Sequence, residues 1–155
     1  MKLSTKGRYG LRALIDLAVN SENEAVCIQS IAQRQGISEN YLEQLMRLLK
    51  KANIINSVRG AGGGYVLARD PKEISVGDVL RALEGSLTPV SCGAISGEGE
   101  CDGADSCVTK FVWKRMNDAI TDAVDGIMLS ELADESRKKC ESANDIHPCV
   151  CEQKQ

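Results

Sequence analysis

The 155-residue sequence predicts a mainly α-helical fold with one small β-hairpin: a winged helix-turn-helix domain followed by a long dimerisation helix. Three observations predict it. Between Ile28 and Lys51 a short helical segment, a Gly-containing turn and a polar, basic helix follow one another. A glycine-rich stretch separates two β-prone runs at residues 54–67, and an apolar spacing of 3, 4, 3 and 4 appears after Thr109. The length suits one compact domain with an appended helix and loop. The units implied are a winged helix-turn-helix at 1–85, a cysteine-rich loop at 86–108, a dimerisation helix with a short following helix at 109–139, and a flexible Cys/His tail at 140–155.

Taken in order, Leu11, Leu14, Ile15, Ala18 and Val19 recur at helical spacing and predict an amphipathic helix over roughly residues 3–20, with Lys6, Arg8 and Arg12 on its charged side. A short helix from Ile28 to Gln35 is closed by Gly36, which can take the left-handed conformation of a helix stop. Ser38 then caps a helix whose stripe is Leu42, Leu45, Met46 and Leu49 and whose opposite side carries Asn40, Glu43, Gln44, Arg47, Lys50 and Lys51. Runs at Ile54–Val58 and Tyr65–Leu67 flank Arg59 to Gly64 as a hairpin, the wing. Ser75 caps a helix through Val76, Val79, Leu80 and Leu83 that stops at Gly85. Residues 86–108, with few large apolar side chains, cannot order themselves by burial. Trp113, Met116, Ile120, Ala123 and Ile127 form the seam of a helix that packs on another helix, most naturally in a symmetric dimer, the alternative being its own domain. Ser130 is read as the cap of one more short helix, and the chain from Cys140 as irregular.

The net charge of -3 conceals a division: residues 1–69 carry ten Lys/Arg against five Asp/Glu, and residues 70–155 nine against seventeen. A basic front half suits a protein that presents one face to a polyanion. No apolar run is long enough to span a bilayer and the start lacks a signal-peptide stretch, so a cytoplasmic protein without membrane association is expected.

A helix-turn-helix sets its second helix in the major groove, where Asn, Gln, Glu and Arg match base edges. The candidate DNA-contacting residues are Ser38, Asn40, Tyr41, Glu43, Gln44 and Arg47 on that helix and Ser57, Arg59 and Gly60 on the wing. Arg59 can enter a minor groove while the following glycines let backbone amides approach phosphate. A nucleotide-phosphate loop is disfavoured at Gly60–Gly64, because no Lys-Ser/Thr follows and the stretch leads into a strand.

Seven cysteines without an export signal point to metal ligation, redox sensing or burial more than to disulfides. Cys92, Cys101 and Cys107 lie on one glycine-rich stretch, and three soft thiolates there suit an iron–sulfur centre, zinc or thiol chemistry. Their spacing lacks the C-x-x-C of zinc knuckles and of thiol oxidoreductases. Cys27, between Val26 and Ile28, reads as a core residue. No acid/base set stands beside an open metal site, and the sole histidine is His147, so an enzyme is not expected.

Leu3–Tyr9, Gln35–Ser38, Tyr41–Leu45, Ser57–Gly60 and Gly62–Tyr65 together resemble the IscR family of regulators, which also includes the NsrR, RirA and CymR types; the likeness covers residues 1 to about 135. The resemblance implies a homodimer that binds a double-stranded DNA operator, with Cys92, Cys101 and Cys107 as ligands of an iron–sulfur cluster, [2Fe-2S] favoured over [4Fe-4S]. It implies Tyr41, Glu43 and Gln44 as recognition contacts, Arg59 as the wing contact, and cluster-assembly proteins as cluster donors. The implied role is direct repression of cluster-assembly genes. Two features depart from the family: Lys110 stands where its members carry a ligating His, and the gap between the first two cysteines is longer. The fourth ligand is therefore open, with His147, Cys149 and Cys151 of the tail as candidates beside a loop carboxylate. CymR-type members lack the triad and are the more distant reading, as are a zinc- or thiol-sensing winged-helix regulator and a thiol redox enzyme.

Overall fold

Helix α1 (Thr5–Asn20) begins where the Ser4 hydroxyl accepts from the Lys6 amide, in a computed structural model that describes residues 3–21, 24–96 and 101–142. Helix α2 (Ile28–Gln35) stops at Gly36, whose φ of 64° is the left-handed geometry expected of its lack of a Cβ. Helix α3 (Glu39–Lys51) starts at Ser38, whose hydroxyl accepts from the Tyr41 amide, and ends on Lys50 and Lys51, which suit the negative end of a helix. Its stripe is as expected: Leu42, Leu45, Met46 and Leu49 are each no more than 1% exposed. Burial of each such side chain contributes about 1.5–3 kcal/mol, so the face toward the core is fixed and the polar face must look outward.

Strands β1 (Ile55–Val58) and β2 (Gly64–Leu67) pair antiparallel, with Ser57 opposite Tyr65 and Val58 opposite Gly64. The wing is anchored from behind, because Val26 and Tyr65 exchange two backbone hydrogen bonds of 2.9 Å. Gly64 makes that approach possible: a Cβ there would collide with the Val26 carbonyl. A 3-10 turn (Pro71–Glu73) leads to α4 (Val76–Glu84), which opens on a capping box between Ser75 and Asp78.

Beyond α4 the chain forms a single short turn of helix, α5 (Gly93–Ser96), then bends through residues 102–106. Helix α6 (Thr109–Asp125) packs on α4 and α5, held to α4 by Arg81, which donates to both Asp125 carboxylate oxygens at 2.7 and 2.6 Å. Helix α7 (Leu129–Ser142) returns to α1, with Leu129 and Ala133 buried in the common core.

Four expectations are corrected here. Ser130 does not cap the last helix, which begins at Leu129. Glu131 reaches back to the Met128 amide at 3.1 Å, and the Leu129 amide is bound to the Ile74 carbonyl at 2.8 Å. That helix is 14 residues long and continues past Cys140, where an irregular tail was expected to begin. Ile127 lies outside α6, because the chain turns at Gly126 and the Ile127 carbonyl accepts from Val76 instead. Cys27 is only half-buried: it is the N-cap residue of α2, and its sulfur lies 2.9 Å from the Ser30 hydroxyl. That hydroxyl, chiefly, holds the thiol pKa below its ordinary value.

Candidate nucleic-acid interface and cysteine loop

The outward face of α3 presents Asn40, Glu43, Gln44 and Arg47, all exposed, directly opposite the buried stripe. Glu43 and Arg47 are one helical turn apart and 3.8 Å from each other, a solvent-screened pair that can open toward a ligand at little cost. Ser38 is exposed while its oxygen caps the helix. Tyr41, placed by sequence among the base-reading residues, is instead half-buried. Its hydroxyl donates to Thr5 Oγ1 at 3.2 Å, and its ring meets Tyr9 edge-on at 6.2 Å between centroids.

On the wing, Arg59 and Gly60 stand at the exposed tip, Gly60 with φ 111°, and Arg59 makes no ion pair or side-chain hydrogen bond among the described residues. A guanidinium without an internal partner, beside a turn of small residues, is available to a phosphate or a groove. Ser57 is exposed and accepts from Lys50 Nζ at 2.6 Å, so the end of α3 and the wing are tied by one hydrogen bond.

Behind this face lies a polar network that sequence reasoning did not find. Asp16 of α1 is fully buried at its side chain and accepts from Arg34 Nε at 3.1 and 3.0 Å, from Arg34 Nη2 at 2.6 Å and from Gln35 Nε2 at 2.8 Å. Arg12 in turn donates to Gln35 Oε1 at 3.1 Å and lies over the Tyr9 ring at 5.5 Å. The network fixes α2 against α1, and hence the angle at which α3 leaves the turn. The signal was in the sequence as a carboxylate set between Leu14 and Leu17 on a face of apolar residues.

The cysteine loop is arranged differently. Cys101 and Cys107 are exposed and Cys92 is half-buried, and none of the three is in a disulfide. The Thr109 hydroxyl, 3.2 Å from Cys107 Sγ, is the main cause that lowers the Cys107 pKa, with the Lys110 amide adding to it, so this thiol is biased toward the thiolate that binds soft metals. Three cysteine sulfurs on one loop suit an iron–sulfur centre by chemistry. Among the described residues, however, no three Cys, His, Asp or Glu side chains are gathered at metal-binding distance. His147, Cys149 and Cys151, considered for the fourth position, lie outside the described residues. No described helix is long and apolar enough to cross a membrane.

The Rrf2 family, described as iron-dependent transcriptional regulators, matches residues 3–135. The HTH-type transcriptional regulator IscR of Escherichia coli O1:K1 is 43% identical over 132 residues, 85% of this chain and 80% of that protein. Among solved structures, CymR, the global cysteine regulator of B. subtilis, superposes with a TM-score of 0.72 at 39% identity, covering 87% of this chain and 98% of its own. IscR of T. potens superposes at 0.69 with 42% identity, covering 95% and 93%.

Proposed function

The chain belongs to the Rrf2 family of iron-dependent transcriptional regulators, and from that premise we propose how it works: as a homodimer whose operator affinity is set by an iron–sulfur cluster on its cysteine loop. It is a DNA-binding transcription regulator and not an enzyme. The reading assigns base recognition to Asn40, Glu43, Gln44 and Arg47, phosphate or groove contacts to Ser38, Ser57, Arg59 and Gly60, and cluster ligation to Cys92, Cys101 and Cys107, with [2Fe-2S] favoured. The role proposed is repression of iron–sulfur assembly genes, in the cytoplasm, with assembly proteins as cluster donors.

The observation that carries the DNA-binding assignment is the division of α3: a stripe no more than 1% exposed on one side and four exposed polar or charged residues on the other, with Arg59 open at the adjoining wing. Dimerisation rests on α6, which has no buried residue although it carries Val112, Met116 and Ala123. Two copies of α3 held at a fixed separation read two half-sites. When bound, the cluster supplies charge and covalent ties to an otherwise open loop. The protein's own residues then determine how far a difference in loop state changes operator affinity, since the shift in occupancy equals that difference and no more.

The test combines anaerobic purification, iron and sulfide analysis, and operator titration at graded salt. A brown protein with iron and sulfide supports the cluster, whereas a colourless one with stoichiometric zinc supports a zinc-sensing regulator. Affinity is expected to fall steeply with salt, and Arg59→Ala to cost about 1–3 kcal/mol of operator binding. Unchanged affinity in that variant removes the wing from the interface.

A further inference from the structure

The last residue of α4 ends in an arrangement that neither the DNA-facing residues nor the cysteines explain. Glu84 Oε1 accepts three hydrogen bonds from the start of α1: from Ser4 N at 2.9 Å, from Ser4 Oγ at 2.7 Å and from Gly7 N at 2.9 Å. A carboxylate from 77 to 80 residues away thus occupies the positive end of α1, where the first amides have no partner within the helix. The approach is close. A Cβ on Gly7 would stand 2.6 Å from that same oxygen, and one on Gly10 would collide with the Leu83 side chain, so a side chain at either position would have to displace the α4 side chains that meet α1 there.

From this turn of α1 two contacts lead to the recognition helix. Thr5 Oγ1, one residue from Ser4, accepts from the Tyr41 hydroxyl at 3.2 Å, and Tyr9, one turn on, meets the Tyr41 ring at an interplanar angle of 87°. Tyr41 sits in the first turn of α3, next to Asn40 and two residues before Glu43. Immediately after Glu84, Gly85 with φ 82° opens the segment that leads to the cysteines.

We propose that Glu84 is a positioning residue for operator recognition: by clamping Ser4 and Gly7 it fixes the first turn of α1, which holds Tyr41 through Thr5 and Tyr9 and so aims the recognition helix. The inference rests on the DNA-facing assignment of α3 above and extends it to the root of the cysteine loop. Glu84 touches no DNA in this scheme. Its loss loosens the aim of the base-reading side chains while leaving the phosphate contacts of the basic half in place, so specific binding suffers and non-specific binding does not.

The experiment compares Glu84→Gln, Thr5→Val and the double variant with the wild type, as full-length protein, on an operator fragment and on a scrambled fragment of equal length. Each single variant is expected to reduce the ratio of specific to non-specific affinity, Glu84→Gln by about tenfold, with an unchanged salt slope on the scrambled fragment. The double variant should lose little more than Glu84→Gln alone, because both act through one link. Thr5 is exposed, so its variant reports even if Glu84→Gln impairs folding. An unchanged ratio in Thr5→Val, or full additivity of the two losses, overturns the proposal. A wild type that does not discriminate between the fragments overturns it together with the assignment of α3.

Discussion

In α3 the side chains of Leu42, Leu45, Met46 and Leu49 are no more than 1% exposed, whereas along α6 no residue is buried and Met116 is 43% exposed. The two helices are of similar length, 13 and 17 residues, and both carry regularly spaced apolar positions. The difference is in what surrounds them. Helix α3 is enclosed by α1, α2, α4 and the wing, while α6 meets its own chain chiefly through α4 and α5. The same contrast holds for polar groups: Asp16 has its hydrogen bonds completed inside the fold, while the thiols of Cys101 and Cys107 stand exposed on a loop. The helix-turn-helix is complete as one chain. The cysteine loop and α6 present surfaces that a single copy leaves uncovered, and such surfaces can change with a partner or a bound group.

If that contrast is right, the largest loss of stability should come from the completed half. Asp16→Ala removes a buried acceptor shared by Arg34, which is only 17% exposed at its side chain, and Gln35. Removing one partner of such a buried, hydrogen-bonded pair costs about 3 kcal/mol. Denaturant unfolding of the variant measures this, and a loss below about 1 kcal/mol, the value of a surface pair, would show that the network is solvated after all.

The next effect belongs to α6 and is of another kind. Met116→Asp places a charge on the uncovered apolar face, and the expected outcome is dissociation to monomer with helical content retained, a weakening of about 2 kcal/mol or more if Met116 is central to the contact. Sedimentation at several concentrations, alongside circular dichroism, reads both. A variant that stays dimeric moves the interface elsewhere, and one that unfolds places Met116 in the core of its own chain.

The same contrast governs what the sequence could reveal. The helix-turn-helix is legible because its determinants are local: Gly36 and Ser38 punctuate it, and four apolar residues at i, i+3, i+4 and i+7 leave one solution for which side is buried. The seam of α6 is legible only as a helix. Trp113 and Ile120 turn out half-buried while Met116 and Ala123 are exposed, a split decided by where α4 lies and not by spacing. Ser130 looked like a cap because Ser favours that position, but the Glu131 carboxylate and the pairing of Ser75 with Met128 set the helix start two residues earlier, at Leu129. The Asp16, Tyr9 and Glu84 contacts join residues far apart in sequence, and no periodicity signals those. For the cysteines, residue type is readable, but the positions of three side chains on a loop poor in apolar groups are not.

The smallest expected effect returns to Glu84, which joins α4 to α1. Burial raises the pKa of its carboxyl, but the hydrogen bonds from the Ser4 hydroxyl and from the Gly7 and Ser4 amides outweigh burial, so the net shift is below the ordinary carboxylate value. A pKa lower in the folded than in the unfolded chain means that the ionised form is the one the fold prefers. Its contribution to stability is therefore present in full above the unfolded pKa and is lost as pH falls through the folded one. Many carboxylates titrate in the same acid range, so the wild-type curve alone assigns nothing. The difference between wild type and Glu84→Gln isolates this group. Near neutrality the wild type should be the more stable, and on acidification below the ordinary Glu range the two thermal midpoints should converge, because the glutamine cannot lose a charge it does not carry. Parallel curves down to the acid limit would mean that Ser4 and Gly7 hold the neutral amide as well as the carboxylate, and the join between α4 and α1 would then be one of shape, not of charge.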